Sequence, residues 1–449
     1  MTRVCVVGAG PAGLVATRTL VGAGLEVDCF EMSPEIGGHW VIDNPNGRSA
    51  AYRSLETNTT HRMSRLSDYE MPAEWPDFPG HALVRQWFEY YVDRSGFRAR
   101  IALRTEVVSA RPEQPSGWRV QARAADGSTA EQRYDALVAC SGNYWSPRMP
   151  RIPGEFEGKE LHAQRYRDPD TPVAMRGKRV AVVGIGNTGC ELACEIGAAG
   201  AEAVFLCARS GAWMIPKRID GRAAAAAVPM MNPHDPIPGV LSALPRAARE
   251  WLFSRIAARK FRAMFGARNA RFTELGLPPP PANPQDKRAT ICDPLLDSLE
   301  SGVVLARPGI ERFEGKEIVF SDGTRERADV VLYATGYQLR YPYLPSDLVD
   351  TRDDDLVLFL GTLHPRRHDL FILGVSRPTG AFWPIAEVQA QLAAALLSGR
   401  YALPRQAVID RRSGPILQRR AFNPALYGLA VREEIARGAK RAGRLRPSG

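Results

Sequence analysis

Residues 3–14 read Arg3-Val-Cys-Val-Val-Gly8-Ala9-Gly10-Pro11-Ala12-Gly13-Leu14, and residues 179–190 read Arg179-Val-Ala-Val-Val-Gly184-Ile-Gly186-Asn187-Thr188-Gly189-Cys190. Each stretch is a β-branched run, a Gly-x-Gly-x-x-Gly turn and the opening of an amphipathic helix, the context that a dinucleotide-binding turn requires. The first glycine permits the tight turn, the second lets backbone approach a pyrophosphate, and the third lets the helix pack closely on its strand. The phosphates then meet the free N–H groups and the positive end of the helix. One such turn is a weak signal. Two in one chain, 176 residues apart, predict an α/β fold with two Rossmann-like units.

The residues that follow each turn separate the two units by ligand. After the first, the strand Glu26-Val-Asp-Cys-Phe-Glu31 ends in an acid, which accepts ribose hydroxyls and repels a 2′-phosphate, as FAD or NAD requires. After the second, Ala203-Val-Phe-Leu-Cys-Ala-Arg209 has no acid there, and Arg209 can pair with the 2′-phosphate of NADP. The turn Glu35-Ile-Gly-Gly38-His39-Trp40 offers paired glycines for backbone to crowd a flat ring, with Trp40 as a wall.

A second echo lies between Asp135-Ala-Leu-Val-Ala-Cys-Ser-Gly-Asn-Tyr144 and Asp329-Val-Val-Leu-Tyr-Ala-Thr335-Gly336-Tyr337. Both read as short apolar strands whose small residues stand at the sheet's carboxyl edge beside a nucleotide. The second echo suggests that the chain returns to the first domain. The expected plan is therefore a discontinuous domain of residues 1–168 and 325–449, with residues 169–324 as a smaller inserted domain. Within the insert, an excursion over about 210–290 departs from Rossmann spacing and carries the stiff run Leu277-Pro-Pro-Pro-Pro-Ala-Asn-Pro284.

Composition bounds the alternatives. The chain has 449 residues, 45% hydrophobic and 24% charged, enough for two or three soluble domains without disulfides or metal. No apolar run is long enough to span a bilayer, and the N-terminus reads as a buried strand rather than a signal peptide, so a cytoplasmic location is expected. The seven cysteines show no paired spacing, the histidines show no metal-ligand spacing, and no metal site is expected. The net charge of +10 resides mainly in two segments, Leu244 to Phe272 and Arg432 to Arg446. Two basic helix faces without a recognition motif argue against nucleic acid. A weak peripheral membrane contact by the first segment, with Trp251, Phe261 and Phe265 interleaved, and a homodimer are both compatible with the sequence.

One further pattern points to a family. Phe156-x-Gly158-x-x-x-His162-x-x-x-Tyr166 stands just before the second glycine turn. It resembles the fingerprint of the flavin-containing monooxygenases. Gly-Gly38-His39-Trp40, Tyr52-Arg-Ser-Leu-Glu-Thr57-Asn58, Met63-Ser-Arg-Leu-Ser-Asp68-Tyr-Glu-Met-Pro72 and Ala-Thr335-Gly336-Tyr337 are similar to that family as well, in the same order.

The resemblance implies FAD in the larger domain, NADPH in the smaller one, and O2 with a small nucleophilic molecule as substrates. It implies that reduced flavin forms a C4a-hydroperoxide, which passes one oxygen to an amine nitrogen or a sulfide sulfur. Asn58 is then the catalytic candidate at the flavin–nicotinamide junction, because an amide donates, accepts and stays neutral. The expected cofactor-binding set is Gly8, Ala9, Gly10, Pro11, Ala12, Gly13, Glu31, Gly38, His39, Trp40, Thr57, Asn58, Thr59 and Val107, with Gly184, Gly186, Asn187, Thr188, Gly189, Arg209, Thr335 and Gly336. His162 is read as part of the interdomain connection and not as a general base. Gly380-Ala-Phe-Trp383-Pro384 opens an Ala-rich helix whose N-terminus suits an anionic reduced flavin.

Three other readings are weighed against this one. Baeyer–Villiger oxygenation of a ketone uses the same cofactors, but those enzymes resemble a fingerprint ending in Trp, where Tyr166 stands. A disulfide reductase needs a cysteine pair near the flavin, and residues 37–135 contain no cysteine. A flavin sensor without enzymatic activity has no need of the second nucleotide site.

Overall fold

In the computed structural model, the described residues are 1–224, 230–349, 356–376, 378–415 and 422–445. The first glycine turn follows the strand Arg3–Val7, which lies at the centre of a five-stranded parallel sheet. Glu26–Phe30 pairs with it on one side and Ala136–Ala139 on the other, with Ile101–Ala102 and Leu370–Ile372 at the edges. Val4, Val6 and Val27 are fully buried, as a parallel sheet covered on both faces demands. One cover is the helix Pro11–Gly22, packed against the Ala-rich helix Trp383–Leu397 through Leu14, Val15 and Ala386. The other is an antiparallel meander of Thr105–Pro112, Trp118–Ala124 and Thr129–Tyr134.

The second unit repeats this plan. Arg179–Val183 is central in a parallel sheet, flanked by Ala203–Ala208 and Val304–Pro308 on one side, and by Val330–Tyr333 and Lys159–His162 on the other. It too has a meander, formed by Ile310–Glu314, Glu317–Phe320 and Arg325–Arg327. This corrects the expected boundaries. Val330–Tyr333 pairs with Val180–Val183 just as Ala136–Ala139 pairs with Val4–Val7, so the second echo belongs to the second unit. The second sheet runs from residue 159 to residue 333, beyond 169–324 at both ends, and the chain rejoins the first sheet only at Leu370.

The fingerprint Phe156–Tyr166 builds the outer edge of that second sheet. A Cβ on Gly158 would lie 2.4 Å from the Phe156 ring and 2.5 Å from the Asp329 carbonyl oxygen, so only glycine fits. Phe156 packs on Phe313, and the Tyr166 hydroxyl donates to Glu195 Oε2 at 3.1 Å.

The excursion leaves and re-enters the second unit through one parallel pair, Met214–Ile215 with Thr290–Ile291. Its long helix, Arg246–Glu274, extends about 43 Å over 29 residues. Between these elements the chain crosses to the first unit. Asn232 donates to the carbonyls of Met63 and Arg65, Asp235 pairs with Arg65 at 2.7 Å, and His234 meets Glu387 at 2.7 Å. The aromatics of the basic helix do not share an outer face: Trp251 is exposed, but Phe265 is buried and Phe261 packs on Trp213. No helix among the described residues is long and apolar enough to cross a membrane. Arg446, at the end of the second basic segment, lies outside the described residues.

Candidate active site

The two glycine turns open into one cavity of about 1060 Å³. Its wall carries Gly8, Gly10, Pro11, Ala12, Glu31, Gly38, His39, Trp40, Thr57, Asn58, Thr59 and Val107 from the first unit. From the second it carries Gly186, Asn187, Thr188 and Gly336. Ala9, Gly13, Gly184, Gly189, Arg209 and Thr335 are not on this wall. Gly13 and Gly189 act by packing: a Cβ there would lie 1.7 Å from the Gly8 oxygen and 1.9 Å from the Gly184 oxygen. Ala9 donates its N–H to Glu31 Oε2 at 2.8 Å, and Ser33 donates to Oε1 at 2.9 Å. Each oxygen of Glu31 retains lone pairs for ribose hydroxyls. Asn187 uses its Oδ1 to accept the N–H of Ile291, and Thr335 donates to the Arg148 carbonyl, so both side chains tie loops together.

The turn after Glu31 closes on the first glycine loop. Gly37 and Gly38 have φ of +116° and +60°, and a Cβ on Gly38 would sit 3.0 Å from Gly10 Cα. Two backbones thus meet without side chains between them, which makes a cradle for a flat group. Trp40 stands beside it, edge-on to Trp383 at 6.0 Å. The His39 ring lies 4.6 Å from Trp40 and 5.5 Å from Tyr144, and burial pushes its pKa down to about 4. His39 is therefore neutral at physiological pH.

The segment 52–59 bridges the units. Tyr52 packs in the second unit's core and Leu55 against both cores, while the Thr59 hydroxyl meets Ser64 Oγ at 3.0 Å, and the Ser64 carbonyl accepts the Trp383 indole N–H. Asn58 lies between these anchors with its Oδ1 buried and free of any hydrogen-bond partner among the described residues. His162 also lines the cavity. Its Nδ1 accepts from the Gln164 N–H at 3.1 Å, so Nε2 carries the proton and donates to the Gly336 carbonyl at 3.1 Å. Both ring nitrogens are thereby engaged within the second unit, and burial lowers the pKa.

Sequence reasoning missed several wall residues. Lys287 and Arg288 reach the cavity from the end of the excursion, and Tyr52 and Glu191 from the unit boundary. Lys287 Nζ donates to the Ser210 carbonyl and hydroxyl and to the Gly211 carbonyl, at 2.8 to 3.2 Å. Burial, and then the like charge of Arg209, lowers its pKa. Two cations are thus held together at the end of Ala203–Ala208. The adjacent Lys287 and Arg288 after a proline-rich run were the available signal, but their distance from Arg209 in sequence hid it.

The site residues fit two dinucleotides: a glycine turn with Glu31 on one side, and a glycine turn with Lys287 and Arg288 reaching the cavity on the other. The comparisons decide the family. A model of flavin-binding monooxygenase-like proteins matches residues 1–421. The chain belongs to this family. Curated relatives include flavin-containing monooxygenase 5 of Rattus norvegicus, 32% identical over 90% of this chain and 75% of the relative. Flavin-containing monooxygenase 3 of Homo sapiens is 29% identical with the same coverages. Among solved structures, the S-allyl-L-cysteine S-oxygenase of Allium sativum superposes with a TM-score of 0.67 at 20% identity, covering 100% of this chain and 94% of that one. A steroid monooxygenase bound to NADP gives 0.68 at 21% identity, covering 98% and 99%. The protein is accordingly a flavin-binding monooxygenase.

The lowered pKa of His39 has a consequence for stability. Between pH 6.5 and 4 the unfolded histidine is protonated and the folded one is not, so acidification through this window favours unfolding. The loss attributable to His39 is at most about 3 kcal/mol. Denaturant unfolding at pH 7 and pH 4 is expected to show a smaller acid loss in His39→Gln than in the parent. An identical pH slope would show that His39 titrates normally.

Proposed function

We propose that this monooxygenase transfers one oxygen atom of O2 to the nitrogen of an amine or the sulfur of a sulfide. The observation that carries the reading is the continuity of the cavity, which joins an acid-bearing glycine turn to a second glycine turn and to Lys287 and Arg288 from the excursion. Reduced flavin supplies the oxygen-activating chemistry when bound. The chain's residues bind, orient and exclude water.

In this reading Gly8 to Gly13 with Glu31 hold the adenosine diphosphate half of FAD, and the Gly38–Trp40 cradle receives the ring. Gly184 to Gly189 take the NADPH pyrophosphate. Arg209 and Lys287 take the 2′-phosphate, which relieves the repulsion between two neighbouring cations. Asn58 offers its unpartnered carbonyl oxygen, and an amide there holds a nicotinamide carboxamide without moving a proton. Trp40, Tyr144, Phe382 and Trp383 make the wall apolar and keep water from the reacting atoms.

An oxygen-consumption screen over amines, sulfides and ketones, scored for oxygenated product against hydrogen peroxide, tests the proposal. Amine N-oxide or sulfoxide is the expected product. Ester formation from ketones with neither of these would replace this reading by Baeyer–Villiger oxygenation.

Arg209→Ala is expected to weaken NADPH use about ten- to a hundredfold while leaving NADH use nearly unchanged. Steady-state kinetics with both coenzymes measure this, and an unaltered preference would remove Arg209 as the phosphate reader. Asn58→Leu keeps similar bulk and removes both hydrogen-bonding groups. It is expected to fold and bind FAD normally yet to divert most consumed NADPH to hydrogen peroxide. Parental product yield in this variant would take Asn58 out of the mechanism.

A further inference from the structure

One charged group on the cavity wall is unused by the assignments above. Glu191, one turn into the helix Asn187–Ala198, accepts a hydrogen bond from the Tyr52 hydroxyl through Oε2. Its Oε1 is buried and has no hydrogen-bond partner among the described residues. The Lys217 ammonium stands 3.9 Å from that oxygen but lies closer to Glu56, at 3.2 Å. Tyr52, Glu56 and Glu191 all line the cavity.

The charges around Glu191 are unbalanced. Two carboxylates share one ammonium, and Glu56 is half exposed while Glu191 is mostly buried. Glu195, on the next turn of the same helix, accepts from Tyr166 and adds more negative charge. From the end of the excursion, Asp293 accepts the Lys217 N–H and lies 4.0 Å from Arg218, while Cys292 presents a thiol, as do Cys190 and Cys194 on the helix itself. Burial raises the Glu191 pKa above the ordinary carboxylate value, Glu56 and Glu195 raise it further, and Lys217 and Tyr52 oppose them. A buried carboxylate with a free oxygen and excess negative charge suits a cationic ligand with an N–H to donate.

Simple alkylamines are protonated at neutral pH, and an ammonium nitrogen has no lone pair to receive oxygen. We propose that Glu191 receives the ammonium form of an amine substrate through its free Oε1 and accepts its proton, leaving the nitrogen lone pair free for oxygen transfer. This rests on the amine reading given above. In the step, the substrate N–H bond breaks, an O–H bond forms on Glu191, and no oxidation state changes. The proton returns to solvent when product leaves. A sulfide carries no such proton and does not need the group.

The test uses the FAD-loaded enzyme and its Glu191→Gln variant, with dimethylbenzylamine and methyl phenyl sulfide as substrates. The ratio of kcat/KM for the amine over that for the sulfide is expected to fall at least tenfold in the variant at neutral pH. It is expected to recover as pH rises and free amine accumulates. In the parent, amine turnover is expected to drop on the acid side as Glu191 protonates, with a midpoint above the ordinary carboxylate range. Binding of protonated dimethylbenzylamine to the oxidised enzyme without NADPH, where no oxygenation occurs, reads recognition without chemistry and is expected to weaken in parallel in calorimetry. If Glu191→Gln does not fold, Lys217→Met serves instead: losing the opposing cation is expected to shift the acid limb of the amine profile upward. An unchanged amine-to-sulfide ratio with unchanged cation binding would overturn the Glu191 assignment while leaving amine oxygenation standing. Parent enzyme that oxygenates neither substrate would overturn the functional reading and this assignment with it.

Discussion

Two close backbone approaches set the architecture. In each nucleotide unit the third glycine of the turn presses the helix onto its strand, so near that a single methyl group would collide with the carbonyl of the first glycine. That contact aims both helix N-termini, with their free N–H groups and partial positive charge, at the carboxyl ends of their sheets. Residues of both turns then line one cavity. The remaining features, from the Gly10–Gly38 cradle to the shared cavity, depend on those two helices being where they are.

What joins the units is as consequential as the units themselves. Segment 52–59 is anchored in the second unit's core by Tyr52 and in the first by Thr59 and Ser64, with Leu55 packed against both cores, so Asn58 stands on the cavity wall between these anchors. The excursion adds a second strap, with Asn232, His234 and Asp235 gripping the first unit while Lys287 and Arg288 line the cavity. These ties restrain the relative position of two units that must pass a hydride between bound cofactors while excluding water.

Legibility in the sequence followed the range of the interaction. The two glycine turns, Glu31 and the Gly-Gly-x-Trp turn were readable as local structure because each is a rule about a few consecutive residues. The domain boundaries were misplaced because strand membership is a matter of pairing: nothing local to Val330–Tyr333 says that it lies beside Arg179–Val183 rather than Arg3–Val7. Lys287 was invisible for the same reason, since it meets Ser210 and Arg209 only after the chain has made an excursion of some eighty residues. Phe261 and Phe265 looked like part of an outward basic face because helix periodicity alone does not say which side is covered. Glu191 lies inside a glycine helix whose sequence advertised only its turn.

The central claim is that both nucleotides work within one cavity. It is tested most directly by mixing the FAD-loaded protein with stoichiometric NADPH in the absence of oxygen and following the flavin absorbance. The account predicts that the yellow absorbance bleaches fully, because the nicotinamide reaches the flavin ring through the shared cavity. A flavin that stays oxidised under excess NADPH, yet is bleached by dithionite, would contradict it.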